Sequence, residues 1–242
     1  MRAAILLVLF PLAGLAQGLR FGTNVAAPGQ IIYFAARQAK GALVLPEGYT
    51  NLLRPGRLLV VSVPSGGSAI SWLPSVTNVA LSQGWAVLAA DGPKVAVNDD
   101  TIQRGWSMLS SVLQEVARTW PQAKRWKVAC AGFSGGAKRS AAVAAAMTKE
   151  GWHVGGVFMG GCNEDRATLG MSLFQPGPAF KNVPMFLSNG DNDPIAGVEY
   201  GGRVRDSMTR SGFSNVRLER YPGEHRLNKE HLRDALIWFE RN

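Results

Sequence analysis

The stretch KVACAGFSGG, at residues 127–136, carries the strongest indication of the fold. Its first half, 127–131, is a run of small and apolar residues that predicts a buried strand. Its second half, 132–136, is rich in glycine and predicts a tight turn. The alanine-rich segment that follows, 137–149, predicts a helix because alanine has the highest helix propensity. A strand, a turn and a helix in this order form the repeating unit of an α/β protein.

The same alternation continues on both sides of this stretch. Short apolar runs predict further strands at 31–35, 42–45, 58–63, 85–90, 154–159, 183–188 and 216–221. Spacing or length predicts further helices after residue 67, at about 101–119, near 198–211 and at 228–240. We therefore predict an α/β fold with a mostly parallel central sheet and helices on both faces. The segment 163–181 is expected to be irregular and too short for a substantial cap domain.

The composition is that of a globular domain rather than of a disordered or fibrous chain. Hydrophobic residues make up 46% of the 242 residues and charged residues 18%, which provides enough apolar surface to offset the entropy cost of folding. Two cysteines and three histidines are too few for a disulfide scaffold or a zinc module. The formal net charge of +9 favours anionic partners. The basic residues are scattered without a dense run, so nucleic-acid binding is not expected.

The first 16 residues have the pattern of a signal peptide. Arg2 precedes an apolar run at 3–13, and the small residues Gly14 and Ala16 provide a cleavage site before Gln17. The alternative is a buried hydrophobic strand. We predict a mature domain of residues 17–242 that is secreted or periplasmic. No later stretch contains the roughly 18–20 apolar residues that a membrane span needs.

The turn Gly132-Phe133-Ser134-Gly135-Gly136 fits the pattern G-x-S-x-G of a nucleophile elbow. In such a turn the serine hydroxyl is exposed at the end of a strand, and the N–H of the next residue, here Gly135, can stabilise an oxyanion. The alternative is a glycine-rich phosphate-binding or packing turn. A dinucleotide-binding loop and a P-loop are disfavoured, because the sequence lacks their G-x-G-x-x-G and Gly-Lys-Ser/Thr patterns.

A serine nucleophile needs a general base, and here that base must be a histidine. His225 follows the last predicted strand and therefore lies at the carboxyl edge of the sheet, where Ser134 is also expected. His153 precedes a strand and is expected at the opposite edge, and His231 falls inside the last predicted helix. The sequence therefore predicts His225 as the base.

The carboxylate that orients the base is expected in the loop 189–195, NGDNDPI, after the strand at 183–188. Asp191 and Asp193 are both candidates, although aspartates are also common turn formers. With either aspartate, the chain order is serine, aspartate and histidine. This order differs from those of the chymotrypsin and subtilisin arrangements.

The sequence resembles the α/β-hydrolase superfamily from about residue 41 to residue 239. Within it, the chain looks like the compact secreted esterases, such as polyhydroxyalkanoate depolymerases, feruloyl esterases and dienelactone hydrolases. The matching segments are 132–136 as the elbow, 190–195 as the G-x-x-D-x-[IV] acid turn and 223–225 as the histidine loop. The resemblance implies a triad of Ser134, Asp193 and His225, with no cofactor and no metal. Asp191 is then a turn residue that bonds nearby backbone amides.

The sequence departs from this family after its third strand. Where many relatives have His-Gly or His-Gly-Gly-Gly, this chain has Ser65-Gly66-Gly67-Ser68. We expect a backbone N–H of Gly66 or Gly67 to face the oxyanion together with that of Gly135. Trp72 and Trp106 are candidates to line the substrate site, and buried packing is the alternative for both.

These residues predict an exported serine hydrolase that cleaves a small-molecule or polymeric carboxylic ester through an acyl-enzyme. A serine peptidase with the same triad is one alternative, and an inactive binding protein of this fold is another. The state of Cys130 and Cys162 is also left open. They can form a disulfide if their Cα atoms come within about 7 Å, and otherwise they are two buried thiols.

Overall fold

The computed structural model describes residues 29–47 and 56–242. The strands within these residues are β1 (Ile31–Ala36), β2 (Ala39–Val44), β3 (Arg57–Ser62), β4 (Ala86–Asp91), β5 (Lys127–Phe133), β6 (Val154–Gly160), β7 (Met185–Gly190) and β8 (Val216–Tyr221). They form an open sheet in the order β1-β2-β4-β3-β5-β6-β7-β8. β2 pairs antiparallel with β1 and β4, and every other neighbouring pair is parallel.

Helices cover both faces of this sheet. The α-helices of the described residues are α1 (Ala69–Ser82), α2 (Ile102–Thr119), α3 (Gly135–Lys149), α4 (Arg166–Phe174), α5 (Val198–Arg210) and α6 (Lys229–Glu240). Buried residues of α2, α3 and α5 pack in one apolar cluster, and those of α1 and α6 pack in another. The prediction of a mostly parallel sheet with helices on both faces is confirmed.

The two apolar clusters follow from the alternation of side chains along each strand. In β3, Leu58 and Val60 belong to the cluster under α2 and α3, whereas Leu59 and Val61 belong to the cluster under α1 and α6. A strand that is covered on both faces needs apolar residues at successive positions. This explains why the continuous apolar runs in the sequence mark the central strands.

The segment 163–181 is more regular than the sequence predicts. It contains α4, whose first turn is capped by a hydrogen bond from the Thr168 N–H to the Asp165 carboxylate at 3.0 Å. Ala167 and Gly170 are its buried residues, and Gly170 packs against Ala142 and Ala145 of α3. With only two buried positions, the helix has too weak an apolar pattern to be recognised in the sequence. Its packing against α3 makes it part of the helical layer rather than a cap.

Cys130 and Cys162 are both buried free thiols. Cys130 is paired with Val157 in the β5–β6 register, whereas Cys162 lies beyond Gly160, the partner of Phe133. At about 3.3 Å per residue along a strand, this offset exceeds the separation of about 7 Å that a disulfide allows. Burial raises the pKa of Cys130 to about 12 and that of Cys162 to about 11, which favours the protonated thiol of both at neutral pH.

The predicted signal peptide, residues 1–16, lies outside the described residues and stays a prediction. Among the helices that are described, none is both long and apolar enough to cross a membrane.

Candidate active site

The serine turn joins β5 to α3 in a strained conformation. Ser134 has φ 56° and ψ −124°, a positive φ that side-chain-bearing residues rarely adopt. Its backbone N–H donates to the Gly160 carbonyl at 2.8 Å, which extends the β5–β6 pairing by one residue. Ser134 is thereby held at the carboxyl end of the sheet, immediately before the first residue of α3. Such strain is commonly stored at functional sites.

Two glycines allow the chain to pass so tightly through this turn. A Cβ on Gly132 would lie 2.2 Å from the Gly136 carbonyl oxygen, and a Cβ on Gly136 would lie 2.3 Å from the Ser62 carbonyl oxygen. Neither position has room for a side chain, because backbone atoms cannot move away as a side chain can. The glycines of the G-x-S-x-G pattern are therefore required by close packing of the turn against β3 and α3.

Asp193 and His225 form a hydrogen-bonded pair at the same edge of the sheet. Asp193 Oδ2 lies 2.7 Å from His225 Nδ1, and the Asp193 side chain is completely buried. The other carboxylate oxygen accepts the N–H groups of Ile195 and Ala196, each at 2.8 Å. Backbone N–H groups of the loop after β7 thus hold one carboxylate oxygen of Asp193 and leave the other oxygen to contact the histidine.

These contacts keep the carboxylate charged. Burial by itself raises the pKa of Asp193, but the hydrogen bonds from Ala196 N–H, His225 and Ile195 N–H outweigh it. The pKa therefore lies below the ordinary value of an aspartate. An ionised carboxylate at His225 Nδ1 favours the tautomer in which the proton is on Nδ1 and leaves Nε2 free to accept one.

The loop that carries His225 is held on both sides of the histidine. The Tyr221 hydroxyl, at the end of β8, lies within hydrogen-bonding distance of the carbonyl oxygens of Glu224 and Arg226. The imidazole lies against Gly161, where a Cβ would come within 3.1 Å of its Cε1 atom. The ring is therefore positioned by the ends of β6 and β8 as well as by Asp193.

His225 also lies beside the serine turn. Its ring centroid is 4.6 Å from that of Phe133, the residue that precedes Ser134. The Ser134 side chain is half-buried and makes no hydrogen bond to His225 in this conformation. The structure thus brings the three predicted residues to one edge of the sheet and shows the aspartate–histidine contact directly. Serine–histidine contacts are commonly long in free enzymes and tighten with substrate.

No model of a known protein family matches the chain, and no curated protein is significantly similar to it. Solved structures do resemble it. An α/β serine hydrolase homologue from Coxiella burnetii has a TM-score of 0.58 and 16% sequence identity, covering 89% of this chain and 99% of that chain. The chain has the α/β-hydrolase fold.

Two further solved structures have this fold and come from the kinds of enzyme named in the sequence resemblance. A dienelactone hydrolase from Anabaena variabilis has a TM-score of 0.60 and 20% identity, covering 87% of this chain and 94% of that chain. Est1E from Butyrivibrio proteoclasticus, solved with ferulic acid bound, has a TM-score of 0.59 and 14% identity, covering 87% and 98% of the two chains. At these identities, the likeness concerns the fold.

The loop after β3, residues 63–68, lies where an α/β-hydrolase completes its oxyanion hole. The N–H groups of its two glycines already have protein acceptors. Gly66 N–H donates to the Asp100 carboxylate at 3.2 Å, and Gly67 N–H donates to the Pro64 carbonyl at 3.0 Å. By contrast, Gly135 is the first residue of α3, so its N–H has no acceptor within the helix. Of the three predicted donors, only Gly135 remains a candidate in this conformation.

Charged side chains anchor the 63–68 loop. Asp100 and Arg139 form an ion pair at 2.9 Å with little solvent exposure, and Arg139 Nη2 also donates to Ser65 Oγ at 3.1 Å. Arg139 lies on α3, so the pair connects the loop to the helix that begins after Ser134. Burial raises the pKa of Asp100, but Arg139 and the Gly66 N–H outweigh it, so the pKa is lowered.

Asp91 anchors the other end of the loop. Its carboxylate accepts the Ser68 hydroxyl and, at 2.7 Å, the Ala69 N–H at the start of α1. The sequence indicates that Asp91 ends a strand, and polar residues at strand ends often belong to functional sites. No sequence pattern indicates the pairing of Asp100 with Arg139, since 39 residues separate them.

The remaining predicted residues take other positions. Trp72 packs against the α1–α6 cluster, and the Trp106 ring lies 6.5 Å from that of Phe174 in an edge-to-face contact. Both tryptophans are half-buried packing residues, and a contact with substrate stays a prediction. His153 is exposed. His231 Nδ1 lies 2.9 Å from the Ser188 hydroxyl.

Asp191 makes different contacts from those expected. Its side chain pairs with Arg220 at 2.8 Å on the surface, rather than bonding backbone amides. The amide contacts are made by Asp193 instead. As to metals, the described residues contain no group of three or more side chains that could hold an ion.

Proposed function

We propose that this chain is a serine hydrolase that cleaves carboxylic esters through an acyl-enzyme. The observation that carries the proposal is the buried Asp193–His225 pair beside the strained turn of Ser134. A carboxylate, an imidazole and an accessible serine in this relation are the parts of a nucleophilic triad. All three are present, which argues against an inactive binding protein.

The reaction follows from the positions of these groups. Ser134 Oγ attacks the ester carbonyl carbon while His225 Nε2 takes the hydroxyl proton. The Gly135 N–H donates to the oxyanion of the tetrahedral intermediate. The bond to the alcohol then breaks, and His225 returns the proton to the departing oxygen. A water molecule repeats the same steps on the acyl-enzyme and releases the acid.

Asp193 remains ionised throughout this cycle. Its charge stabilises the imidazolium that forms when His225 accepts the serine proton, and its two backbone hydrogen bonds keep it in place. The lowered pKa of this carboxyl fits the role.

Kinetics with purified protein test the proposal. We expect the wild type to hydrolyse p-nitrophenyl acyl esters and Ser134→Ala to lose this activity while keeping its melting temperature. Peptide p-nitroanilides in the same assay distinguish an esterase from a peptidase. Full ester hydrolysis by Ser134→Ala would contradict the proposed nucleophile, and faster cleavage of the anilides would replace the ester with a peptide as substrate.

A further inference from the structure

A cavity of about 610 Å³ lies beside the serine turn, and its lining does not include the triad side chains. Its walls are the 63–68 loop, the loop after β4 and the first turns of α2, with Arg139 of α3 between them. The loop lies between the cavity and the turn: Val63 and Gly66 line the cavity, and Pro64 packs against Gly135. Pockets for small ligands have volumes of roughly 300–1,000 Å³.

The charged side chains that line this cavity are predominantly cationic. They are Lys40, Lys94, Arg104, Arg139, Asp91 and Asp100. Both aspartates are already bound, Asp91 by the start of α1 and Asp100 by Arg139. Lys40, Lys94 and Arg104 have no ion-pair partner in the described part of the chain. With four cationic and two anionic side chains, the cavity lining carries a net positive charge next to the proposed nucleophile.

Among these cations, the hydrogen bonds of Arg104 give the most evidence on what the cavity could bind. Its Nη2 atom donates to the Pro93 carbonyl at 3.3 Å, which holds the guanidinium at the cavity. Its Nε atom is buried and has no protein hydrogen-bond partner. Buried side-chain donors in native proteins nearly always have an acceptor. The buried Nε is not accessible from the cavity, but the Pro93 carbonyl is the one acceptor that the guanidinium has in the described residues, so its remaining Nη–H groups can donate to a ligand.

We propose that this cavity binds a carboxylate carried by the ester substrate, with Arg104 as its principal ligand. The inference rests on the proposed ester hydrolysis and adds the substrate class, which is esters with a free carboxylate on the acyl or the alcohol part. The planar guanidinium matches a carboxylate in shape and charge. Lys40 and Lys94, which are exposed at the cavity, add attraction that salt screens.

The test compares the kcat/KM of matched esters of similar length. The acyl-side set is the mono-p-nitrophenyl ester of glutaric acid, its neutral methyl diester and an ester ending in an ammonium group. The alcohol-side set carries the same three end groups on the alcohol. We expect the carboxylate ester of one set to exceed its neutral counterpart by about tenfold or more, since a charge-assisted hydrogen bond is gained.

Two variants that each lose one positive charge test whether the preference for the carboxylate ester depends on Arg104. Arg104→Gln should reduce the ratio of carboxylate to neutral ester to about one, whereas Arg210→Gln should keep the wild-type ratio. Arg210 is an exposed residue at the end of α5. If Arg104→Gln fails to fold, Lys94→Gln at the exposed rim should lower the ratio in the same direction. An unchanged ratio in the variant measured would contradict the assignment.

Binding to an inactive variant separates this inference from the proposed function. Calorimetry should show monomethyl glutarate binding more tightly to Ser134→Ala than to Ser134→Ala/Arg104→Gln, by about tenfold in Kd. Equal Kd values, or equal kcat/KM for neutral and carboxylate esters in both sets, would overturn the carboxylate site and leave ester hydrolysis intact. Absence of any ester hydrolysis would instead overturn the proposed function.

Discussion

Two aspartates follow β7, and only Asp193 contacts the histidine. Asp193→Asn keeps the shape of the side chain but removes the charge that stabilises the imidazolium. We expect kcat to fall by a factor on the order of 10⁴ with little change in melting temperature. Asp191→Asn removes only an exposed ion pair, whose contribution is roughly 0–1 kcal/mol, and should keep kcat. Steady-state kinetics in which Asp191→Asn loses kcat and Asp193→Asn retains it would reverse the assignment.

Gly161 supports the histidine through space that only glycine leaves open. It has φ 57°, and a Cβ there would lie 2.9 Å from Phe133 Cε2 and 3.1 Å from His225 Cε1, two rings that pack against each other. Gly161→Ala should therefore displace the imidazole and lower kcat by about tenfold or more, since small misplacements of catalytic groups are costly. Gly151→Ala is the matched control, because Gly151 has φ 80° with no atom within 4 Å of its Cβ position.

Gly151→Ala should lose about 1–2 kcal/mol of stability from its positive φ alone, and Gly161→Ala should lose more because its Cβ also clashes with neighbouring rings. The readout that reports on the histidine is therefore kcat. Equal kcat in Gly161→Ala and Gly151→Ala would show that the histidine does not depend on this contact.

At the scale of elements, the ion pair of Asp100 and Arg139 connects the 63–68 loop to α3. Asp100→Asn removes the charge that pairs with a largely buried guanidinium. Because both side chains keep some solvent exposure, we expect a loss of about 1–3 kcal/mol rather than the roughly 3–5 kcal/mol of a fully buried pair, with roughly 2–4 °C in melting temperature for each kcal/mol. The kcat should also fall, because the loop packs against Gly135. Asp99→Asn, at the exposed neighbouring position, provides the control. A melting temperature equal to that of Asp99→Asn would contradict the anchoring role.

His231 is half-buried where α6 packs on the sheet, and a histidine is easier to bury when it is neutral. Burial lowers the pKa of His231, which bonds Ser188 and has Glu219, Asp234, Arg217 and Glu230 nearby. Between this lowered pKa and the unfolded value of about 6.5, the unfolded chain binds more protons than the folded one. Stability should therefore fall as the pH decreases through this window.

Melting temperatures at pH 8 and pH 5 check this expectation. The wild type should lose more on acidification than His231→Gln, which cannot gain the proton. All other titrating groups are common to both proteins, so the difference isolates His231. Identical losses in the two proteins would exclude it as the cause.

At the scale of the whole molecule, the sequence predicts what depends on local pattern. Continuous apolar runs mark the central strands because both faces of the sheet are covered, and the elbow glycines mark the turn because nothing larger fits. The helix α4 is not predicted from the sequence, because it buries only Ala167 and Gly170 and so has a weak apolar pattern. The Gly66–Asp100 hydrogen bond and the Asp100–Arg139 ion pair are not predicted either, since each joins residues that are distant in the chain. Contacts of this kind depend on the assembled fold.

The central claim is that Ser134 is a nucleophile activated by His225. Mass-spectrometric peptide mapping after reaction with a fluorophosphonate probe tests it most directly, because the probe reacts with an activated serine and marks its position. We expect a single adduct on Ser134, greatly slowed formation in His225→Ala and no adduct in Ser134→Ala. An adduct on Ser65, Ser68 or Ser188 instead, or labelling that persists in Ser134→Ala, would contradict it.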